Sequence, residues 1–349
     1  MRVLITGGAG FVGSHVADRV GARGHEVVLL DNLLPQAHGT GYQPTDHRLV
    51  RGDVRDETVV AEVLRGVDVV CHQAAVVGHG VDPADAPEYA SHNDFGTAVL
   101  LAQMYRAGVS RLVLASSMVI YGEGRYTCAD HGTVRPPRRR MSDIDAGRFE
   151  PVCPVCAAPL RSALVPEDAP MDPRSTYAAT KAAQEYLASA WARQTDGDVW
   201  ALRYHNIYGA RMPRDTPYAG VASLFRSALE RGDAPTVLED GAQRRDFVHV
   251  TDVAIANAMA IETPGDPGTL TPLNICSGEP HSVGDLAREL ARAYGGPVPR
   301  VVGGARPADV RHIVADPAEA KSRLGFHAMV AFADGVKAFA SDPLRAPVS

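Results

Sequence analysis

Short apolar runs rich in Val, Ile and Leu alternate with longer segments of helical periodicity from residue 2 to residue 203. The apolar runs predict strands over residues 3–5, 27–30, 48–51, 67–71, 111–115 and 199–203. The segments between them predict helices over residues 11–22, 58–65, 90–107 and 176–195. This alternation predicts an α/β fold with a doubly wound parallel sheet, in which ligands bind beyond the carboxyl ends of the strands.

The first predicted strand runs directly into a turn with three glycines, Gly7, Gly10 and Gly13, and a helix follows the turn. Gly7 permits a tight turn, Gly10 lets main-chain amides approach a pyrophosphate, and Gly13 lets the helix pack close to the strand. The helix begins at Phe11 and Val12, and its N-terminus attracts an anion. The pattern predicts a Rossmann-type dinucleotide site. The alternative is a glycine-rich turn in an ordinary strand–helix unit.

An acidic residue closes the second predicted strand. Asp31, followed by Asn32, lies about 20 residues beyond the glycine turn, as the dinucleotide fold requires. A carboxylate there accepts hydrogen bonds from the adenosine ribose and repels a 2′-phosphate. The position therefore favours NAD over NADP.

Composition narrows the class of protein. A net charge of −6 over 349 residues gives no general attraction for nucleic acid or anionic lipid, so neither partner is expected. No apolar run approaches a membrane span, and no secretion signal is recognised, so we expect a cytoplasmic protein. The five cysteines are an odd number, which argues against a disulfide framework.

Candidate catalytic residues are Ser117, Tyr177 and Lys181. Ser117 lies at the end of a predicted strand, and Tyr177 and Lys181 lie four residues apart on one face of a helix. A neighbouring cation, together with the charge of NAD⁺, favours the phenolate and would bring the pKa of Tyr177 toward neutrality. The alternative is a half-buried aromatic ring beside a solvated charge.

Nine motifs together resemble the extended short-chain dehydrogenase/reductases, specifically the NAD-dependent nucleotide-sugar epimerase/dehydratase family, over nearly the whole chain. The matching residues are 7–13, Asp31, 52–54, 72–75, 116–117 with 121–122, 177–181, 203–206, 245–250 and 306–309. Departures from the family pattern occur at Gln73, His205 and Ala308. These departures affect neighbouring contacts and leave the three candidate catalytic residues as the family has them.

The resemblance implies roles for residues that the local pattern does not assign. For the cofactor, it implies that Asp53 and Val54 hold the adenine and that Ala74 and Ala75 line the nicotinamide side. For the substrate, it implies that a sugar diphosphate is held by Asn206, Arg245 and Arg306. The two guanidinium groups can donate hydrogen bonds to the phosphate oxygens.

The residues after Ser117 separate the reactions of the family. Its dehydratases and decarboxylases have acidic residues there, whereas this chain has Met118 and Val119. Neither can exchange a proton, so dehydration is disfavoured and oxidation with return of the hydride remains. We expect Tyr177 to take the 4-hydroxyl proton while C4 gives a hydride to NAD⁺; the 4-keto sugar then turns over and is reduced on its other face.

The insertion at residues 123–165 holds two pairs of possible metal ligands, Cys128 with His131 and Cys153 with Cys156. Paired N and S ligands in a short loop favour a structural zinc site. We expect the loop to form a lid that covers the sugar pocket. The alternatives are a redox pair and unligated cysteines in a disordered loop.

The insertion also carries a run of three arginines, 138–140, which is either a solvated group of charges or a phosphate contact. The insertion resembles a bacterial branch of the family usually assigned as dTDP-L-rhamnose 4-epimerases, from which His131 departs.

Beyond Gly209 the alternation gives way to Gly- and Pro-rich loops with helices predicted over residues 218–231 and 283–294. We predict an NAD-binding domain over residues 1–205, to which a segment at about 236–262 returns, and a smaller, mainly substrate-binding domain over residues 206–349. By resemblance, the helices at 90–107 and 176–195 would pair in a homodimer.

The sequence favours a nucleotide-sugar 4-epimerase with tightly held NAD that acts on a dTDP-6-deoxyhexose such as dTDP-L-rhamnose. Three other hypotheses remain open. The first is an epimerase of UDP-hexoses or UDP-uronates, and the second is an NAD(P)H-dependent reductase of nucleotide 4-keto sugars. The third is a non-enzymatic redox-sensing module, which the intact residues Ser117, Tyr177 and Lys181 disfavour.

Overall fold

The computed structural model describes residues 1–38, 45–78, 82–214, 220–305 and 309–345. The strands found there are β1 (Arg2–Thr6), β2 (Glu26–Asp31), β3 (Arg48–Arg51), β4 (Val69–His72), β5 (Arg111–Ser117), β6 (Arg125–Cys128), β7 (Gly132–Val134), β8 (Arg161–Ala163), β9 (Asp198–Tyr204), β10 (Asn206–Tyr208), β11 (Thr236–Leu238), β12 (Arg244–His249), β13 (Thr269–Ile275), β14 (Pro280–Ser282) and β15 (Arg300–Gly303). The helices are α1 (Phe11–Ala22), α2 (Pro35–His38), α3 (Glu57–Val63), α4 (Ala86–Tyr89), α5 (Gly96–Ala107), α6 (Met141–Asp145), α7 (Thr176–Thr195), α8 (Val221–Glu230), α9 (Val250–Glu262), α10 (Val283–Tyr294), α11 (Ala318–Leu324) and α12 (Phe332–Phe339).

The centre of the molecule is a parallel sheet, which in the described residues has seven strands in the order β13-β9-β5-β4-β1-β2-β3. The six strands predicted from the sequence all lie in it, so the prediction of a doubly wound parallel sheet is confirmed. The strand order reverses beside β1, and in sheets of this kind ligands bind at the reversal, outside the carboxyl ends of the strands. The edge strand β13 was not predicted.

Side-chain alternation along the strands builds one apolar core on each face of this sheet. Val3 and Ile5 face a core completed by α1, α9 and α11, while Leu4 faces a core completed by α3, α5 and α7. Since both faces are covered by helices, the strands are apolar on both sides. The rigid sheet fixes the positions of the residues at its carboxyl edge.

The predicted helices agree with the structure apart from their ends. The predicted helix over 90–107 is α5, preceded by a turn of wider, π-type hydrogen bonding at Ala90–Phe95. Of the predicted helix over 218–231, the structure shows α8, and residues 218–219 lie outside the described residues. No described helix is long and apolar enough to cross a membrane.

The later part of the chain contributes to two cores. A third core is formed by α8, α10 and α12 with Tyr208 and Phe247, next to a small sheet in which β12 pairs with β10 and β14. By contrast, β13 joins the central sheet and α9 packs on α1. The predicted domain boundaries stay a prediction.

The insertion forms its own small unit. Its strands β6, β7 and β8 pair antiparallel, and a compact core lies beneath them with Tyr126, Cys128, Cys153 and Leu160 buried. The insertion follows β5 and precedes α7, so it lies between the strand of Ser117 and the helix of Tyr177.

Candidate active site

The glycine turn after β1 is a cradle made by main-chain atoms. Gly7 has a φ of +64°, and its amide donates to the Leu30 carbonyl of β2 at 2.7 Å. A Cβ on Gly7 would lie 2.7 Å from the Ala74 amide nitrogen, and a Cβ on Gly13 would lie 2.1 Å from the Gly7 carbonyl oxygen. Among the described residues no side chain caps α1 at Gly10, which leaves the first amides of the helix free for an anion.

Asp31 lies buried beside this turn at the end of β2. Its Oδ2 accepts from the Ala9 amide at 3.0 Å, and its Oδ1 accepts from the Leu33 amide at 2.9 Å. Leu33 takes a φ of +55°, a left-handed conformation that wraps the chain around the carboxylate. The turn and the carboxylate are therefore held as one unit, and they fit the pyrophosphate and ribose of a dinucleotide.

The residues assigned to the adenine lie on the neighbouring strand ends. Asn32 Nδ2 donates to Asp53 Oδ2 at 3.1 Å, and Arg55 donates to both oxygens of Asp53. The hydrogen bonds from Arg55 hold the pKa of Asp53 well below its usual range, so the carboxylate stays ionised. Val54 is buried and would touch a Cβ placed on Gly96.

The segment after β4 is tied to α7 by a residue that the sequence motifs did not single out. Ala74 and Ala75 follow β4, and Ala74 lies against Gly7. Asn93, fully buried in the wide turn before α5, accepts from the Val76 amide and donates to the Val76 carbonyl and to Thr180 Oγ1. An amide inside an apolar helical pattern was the available signal, and wide helical turns are common at functional sites.

Ser117, Tyr177 and Lys181 come together at the carboxyl end of β5. The Ser117 side chain is near enough to the Tyr177 phenol to influence its pKa, and Lys181 Nζ lies 6.0 Å from the centre of the Tyr177 ring. Lys181 Nζ donates to the Ala115 carbonyl at 2.9 Å. Ser175 caps α7 by accepting from the Ala178 amide, which fixes the first turn of the helix where Tyr177 lies. The three predicted residues therefore share one site.

The protein's own charges do not lower the pKa of Tyr177. Burial raises the pKa of Tyr177 to about 12, and the Ser117 side chain only partly opposes this. Burial also lowers the pKa of Lys181 to about 8, although Asp94 and Glu185 act in the opposite direction. Burial therefore dominates the pKa of Tyr177 in the protein alone, and the expected lowering, which combines the charges of Lys181 and NAD⁺, stays a prediction.

A buried hydrogen-bond network lies beside the three candidate residues and involves the same elements. Ser116 Oγ donates to Glu185 of α7, and Arg203 of β9 binds both oxygens of Glu185 at 2.9 and 2.8 Å. Arg203 also donates to Tyr121 Oη at 2.7 Å, and Tyr121 donates to Asn274 Oδ1 of β13 at 2.8 Å. This network joins α7 to three strand ends and limits movement of Tyr177.

Two of the three predicted substrate residues lie in the described part of the chain. Asn206 begins β10, and its Oδ1 is buried without a hydrogen-bond partner among the described residues, which points to a ligand contact. Arg245 donates to the carbonyls of Val310 and Arg311 at 2.7 and 2.9 Å. Burial lowers the pKa of Arg245, with Asp309 opposing this effect. Arg306 lies outside the described residues.

The arginine run of the insertion reaches a cavity of about 450 Å³. Arg138 and Arg139 line it together with Arg174, which precedes Tyr177 by three residues, and with Asp309. Arg139 is held in place because its guanidinium donates to the Asp309 carbonyl at 2.8 Å and pairs with Glu239 at 2.9 Å. The insertion therefore contributes to the wall of a cavity next to the start of α7.

The four predicted metal ligands converge in the insertion. The ligand atoms of Cys128, His131, Cys153 and Cys156 lie within 4.8 Å of one another. Cys128 Sγ is 3.6 Å from Cys156 Sγ and 3.5 Å from His131 Nδ1. Ligand atoms about 2.3 Å from a tetrahedral zinc ion lie about 3.8 Å apart, so the donor set and its spacing fit zinc. The sulfur atoms are too far apart for a disulfide.

The sequence profile of the NAD dependent epimerase/dehydratase family matches residues 3–141 and 156–276 of this chain. The match therefore covers most of the chain and omits residues 142–155 within the insertion. A dTDP-L-rhamnose 4-epimerase of Burkholderia thailandensis is 34% identical in an alignment of 334 residues that covers 93% of this chain and 90% of that protein.

Solved structures agree with the fold over almost the whole chain. The Thermus thermophilus UDP-glucose 4-epimerase in complex with NAD is 30% identical with a TM-score of 0.77, and the match covers 97% of this chain and 98% of that chain. The Thermotoga maritima UDP-glucose 4-epimerase with UDP-glucose is 28% identical with a TM-score of 0.80, and the match covers 97% of each chain.

Proposed function

The chain belongs to the NAD dependent epimerase/dehydratase family, and we propose that it is a nucleotide-sugar 4-epimerase that uses tightly held NAD. The observation that carries the proposal is the convergence of Ser117, Tyr177 and Lys181 at the strand edge that also holds the glycine turn. A hydroxyl, a phenol and an ammonium beside a dinucleotide cradle form a site for oxidation of a sugar alcohol.

Each catalytic side chain has a separate task. Tyr177 takes the proton of the 4-hydroxyl and later returns it, while Ser117 holds the sugar oxygen through its hydroxyl. Lys181 supplies positive charge beside the phenol from a position fixed by the Ala115 carbonyl. NAD, when bound, accepts a hydride from C4 and gives it back to the opposite face of the 4-keto sugar.

Return of the hydride, rather than dehydration, follows from the residues beyond Ser117. Met118 and Val119 open a short 3₁₀ turn directly after it. Neither side chain can protonate a leaving hydroxyl. The chain therefore lacks, at these two positions, the acidic group that elimination would need.

The glycine turn supports NAD as the cofactor, because its cradle is closed to any side chain at Gly7 or Gly13. The residues that would hold it are the first amides of α1, Asp31 for the ribose, and Asp53 with Val54 for the adenine. Protein denatured after purification should release NAD(H) rather than NADP(H). Recovery of mostly NADP(H) would contradict the role of Asp31, whereas Asp31→Ala should relax the preference.

For the substrate we propose a dTDP-6-deoxyhexose such as dTDP-L-rhamnose. Support comes from the Burkholderia thailandensis relative, a dTDP-L-rhamnose 4-epimerase that is 34% identical over almost the same length. The second candidate is a UDP-hexose, because UDP-glucose 4-epimerases share the fold over 97% of this chain. Arg245, Arg306 and Asn206 would hold the diphosphate of either substrate.

Incubation with a panel of dTDP- and UDP-sugars, without added cofactor, tests the proposal. We expect one 4-epimer pair to reach the same equilibrium from both sides. A product that forms only with added NADH or NADPH would instead indicate a 4-keto reductase. No conversion of any nucleotide sugar by NAD-loaded protein would contradict the proposed activity.

We also propose one structural zinc ion per chain, bound by Cys128, His131, Cys153 and Cys156. The closed set of three sulfur atoms and one nitrogen leaves no position for a substrate, so zinc would hold the insertion together and take no part in hydride transfer. Elemental analysis of protein prepared without chelator should find about one zinc per chain. Absence of metal would contradict the site.

For the assembly we propose a homodimer formed through α5 and α7. Large apolar side chains on or beside these helices are exposed, with Phe95 at 55%, Tyr105 at 68% and Tyr186 at 65%. Such a patch favours burial against a second copy. Light scattering should give the mass of two chains, and Tyr186→Glu should shift it toward one. A monomeric wild-type protein would contradict the dimer.

A further inference from the structure

The C-terminal arm, residues 343–345, lies against the glycine turn. Arg345 and Ala9 are 336 positions apart in the chain, yet Arg345 Nη2 donates to the Ala9 carbonyl at 2.7 Å. The same nitrogen lies 3.5 Å from Ser14 Oγ in the first turn of α1. No sequence motif pointed to this contact. It brings a guanidinium to the loop that would bind the cofactor.

The fold fixes the position of the arm. Leu344 is buried in the core that α8, α10 and α12 form. The Arg345 amide donates to the Met212 carbonyl at 3.0 Å, and the Arg211 amide donates to the Pro343 carbonyl at 2.7 Å. Because the main chain is held at Pro343 and at the Arg345 amide, the guanidinium of Arg345 has little freedom to leave the turn.

Arg345 also orders the carboxylate of Asp31 through His38. Its Nη1 lies 3.1 Å from His38 Nδ1, and a guanidinium can only donate, so Nδ1 accepts. The proton of the neutral imidazole must then be on Nε2, which faces Asp31 Oδ1 at 3.3 Å. Asp31 Oδ2 in turn accepts from the Ala9 amide at 3.0 Å. Arg345, His38, Asp31 and Ala9 thus close a ring of polar contacts.

The guanidinium of Arg345 is buried, and Asp31 supplies the negative charge of this ring. Burial lowers the pKa of Arg345 to about 10, with Asp31 acting against this and Arg211 adding to it. Among the described residues, its guanidinium donates to two carbonyls, an imidazole and a hydroxyl, all of which are neutral. A desolvated cation is stabilised by negative charge, and the start of α1 favours an anion at the same place.

We propose that the C-terminal arm is a clasp for the adenosine end of NAD, with Arg345 as a positioning residue. The inference rests on the proposed use of NAD and adds a role for the end of the chain. Arg345 fixes the Ala9 carbonyl and the His38 tautomer, and together they hold Asp31 where it can accept the ribose hydroxyls. Tight retention of NAD therefore depends on a residue far from the glycine motif in sequence.

The test compares Arg345→Ala with Arg323→Ala, which removes an exposed arginine from α11 as a matched control. We expect the wild type and the control to keep NAD(H) through purification, and Arg345→Ala to lose it. Its Kd for added NAD should rise about ten- to a hundredfold, the usual effect of losing hydrogen bonds from a charged group. Arg345→Lys keeps the charge without the planar fork and should fall between the two.

A purely structural role makes a different prediction. If Arg345 only stabilised the fold, Arg345→Ala would lower the melting temperature while its Kd for NAD stayed at the wild-type value. The clasp predicts unchanged kcat at saturating NAD and unchanged KM for the nucleotide sugar. If Arg345→Ala cannot be purified, His38→Gln, which leaves the arm intact, must raise the Kd for NAD.

The outcomes separate this inference from the proposed function. An Arg345→Ala protein that retains NAD(H) as the wild type does would overturn the clasp and leave the epimerase proposal standing. A wild type that neither carries nor binds NAD would contradict the proposed function itself.

Discussion

We propose that the glycine turn and the cysteine–histidine cluster each hold a bound group, and the two are built in opposite ways. The turn uses main-chain atoms of consecutive residues, and it works because Gly7 and Gly13 have no side chain. The cluster uses four side chains from two segments, and Cys128 and Cys156 are 28 positions apart. The turn depends on the absence of side chains at its glycines, whereas the cluster depends on side chains that the fold brings together.

This difference determines which change would abolish binding in each region. A main-chain cradle held by hydrogen bonds such as Gly7 to Leu30 tolerates no added atom, but it needs no ligand to keep its shape. A cluster of thiolates repels itself, so its stability depends on the cation that we propose for it. We therefore expect a small added group to disable the turn, and loss of the metal to disable the insertion alone.

The largest expected effect on the glycine turn is that of Gly13→Ala. The new methyl group would lie 2.1 Å from the Gly7 carbonyl oxygen, so the turn must open and the first amides of α1 lose their arrangement. We expect the Kd for NAD to rise at least about a hundredfold, equivalent to about 3 kcal/mol, with zinc content unchanged. Gly220→Ala, where the nearest atom would be 3.4 Å away, is the control. Normal NAD retention in Gly13→Ala would mean that the turn is not the cradle.

Tyr177→Phe should remove catalysis and leave both cradles intact. The substitution deletes one oxygen and the proton acceptor, and kcat should fall about 10²- to 10⁴-fold. NAD(H) content, zinc content and substrate binding, measured by calorimetry, should stay at wild-type levels. Tyr186→Phe alters an exposed ring on the same helix and should leave kcat unchanged. Near-native kcat in Tyr177→Phe would require another base.

Cys153→Ala should affect the insertion alone. Cys153 is a buried member of the cluster, so its loss should release the metal and loosen the wall that carries Arg138 and Arg139. We expect KM for the nucleotide sugar to rise about tenfold, or about 1.4 kcal/mol, with NAD content and kcat largely kept. Val155→Ala, an exposed position between two ligands, is the control. An unchanged KM in the metal-free variant would contradict the role of the insertion as a lid.

The smallest effect concerns pH. Because burial lowers the pKa of Lys181 to about 8, its ammonium is lost at a pH at which an exposed lysine keeps it. We expect kcat to fall as pH rises above about 8, by about tenfold one unit further on. The unfolded chain binds more protons at Lys181 between about pH 8 and 10.4, so this group makes stability rise with pH there. A kcat that stays constant to about pH 10 would contradict a need for the ammonium.

The groups that could be predicted from sequence are those whose residues lie close together in the chain. The glycine turn, Asp31 and the pair Tyr177–Lys181 are local patterns whose spacing carries the geometry, and the structure brings each group together. The cluster was predictable only because its ligands occur as two close pairs. In both cases the informative residues are neighbours in the chain.

Contacts between distant segments could not be predicted. The partners of Asn93 and Arg345 are set by the packing of whole elements, as is the addition of β13 to the central sheet. The effect of burial on the pKa of Tyr177 could not be predicted for a related reason, since desolvation depends on every neighbour of the ring and not only on Lys181.

The most direct test of the central claim follows the hydrogen atom at C4. The NAD-loaded protein is incubated with a dTDP-6-deoxyhexose, or with whichever sugar the panel identifies, that carries deuterium at C4, and the product is examined by NMR and mass spectrometry. Transient oxidation with return of the hydride predicts a 4-epimer that keeps its deuterium at C4 with no added cofactor. Exchange of the label with solvent, or its transfer to added NAD, would contradict the account.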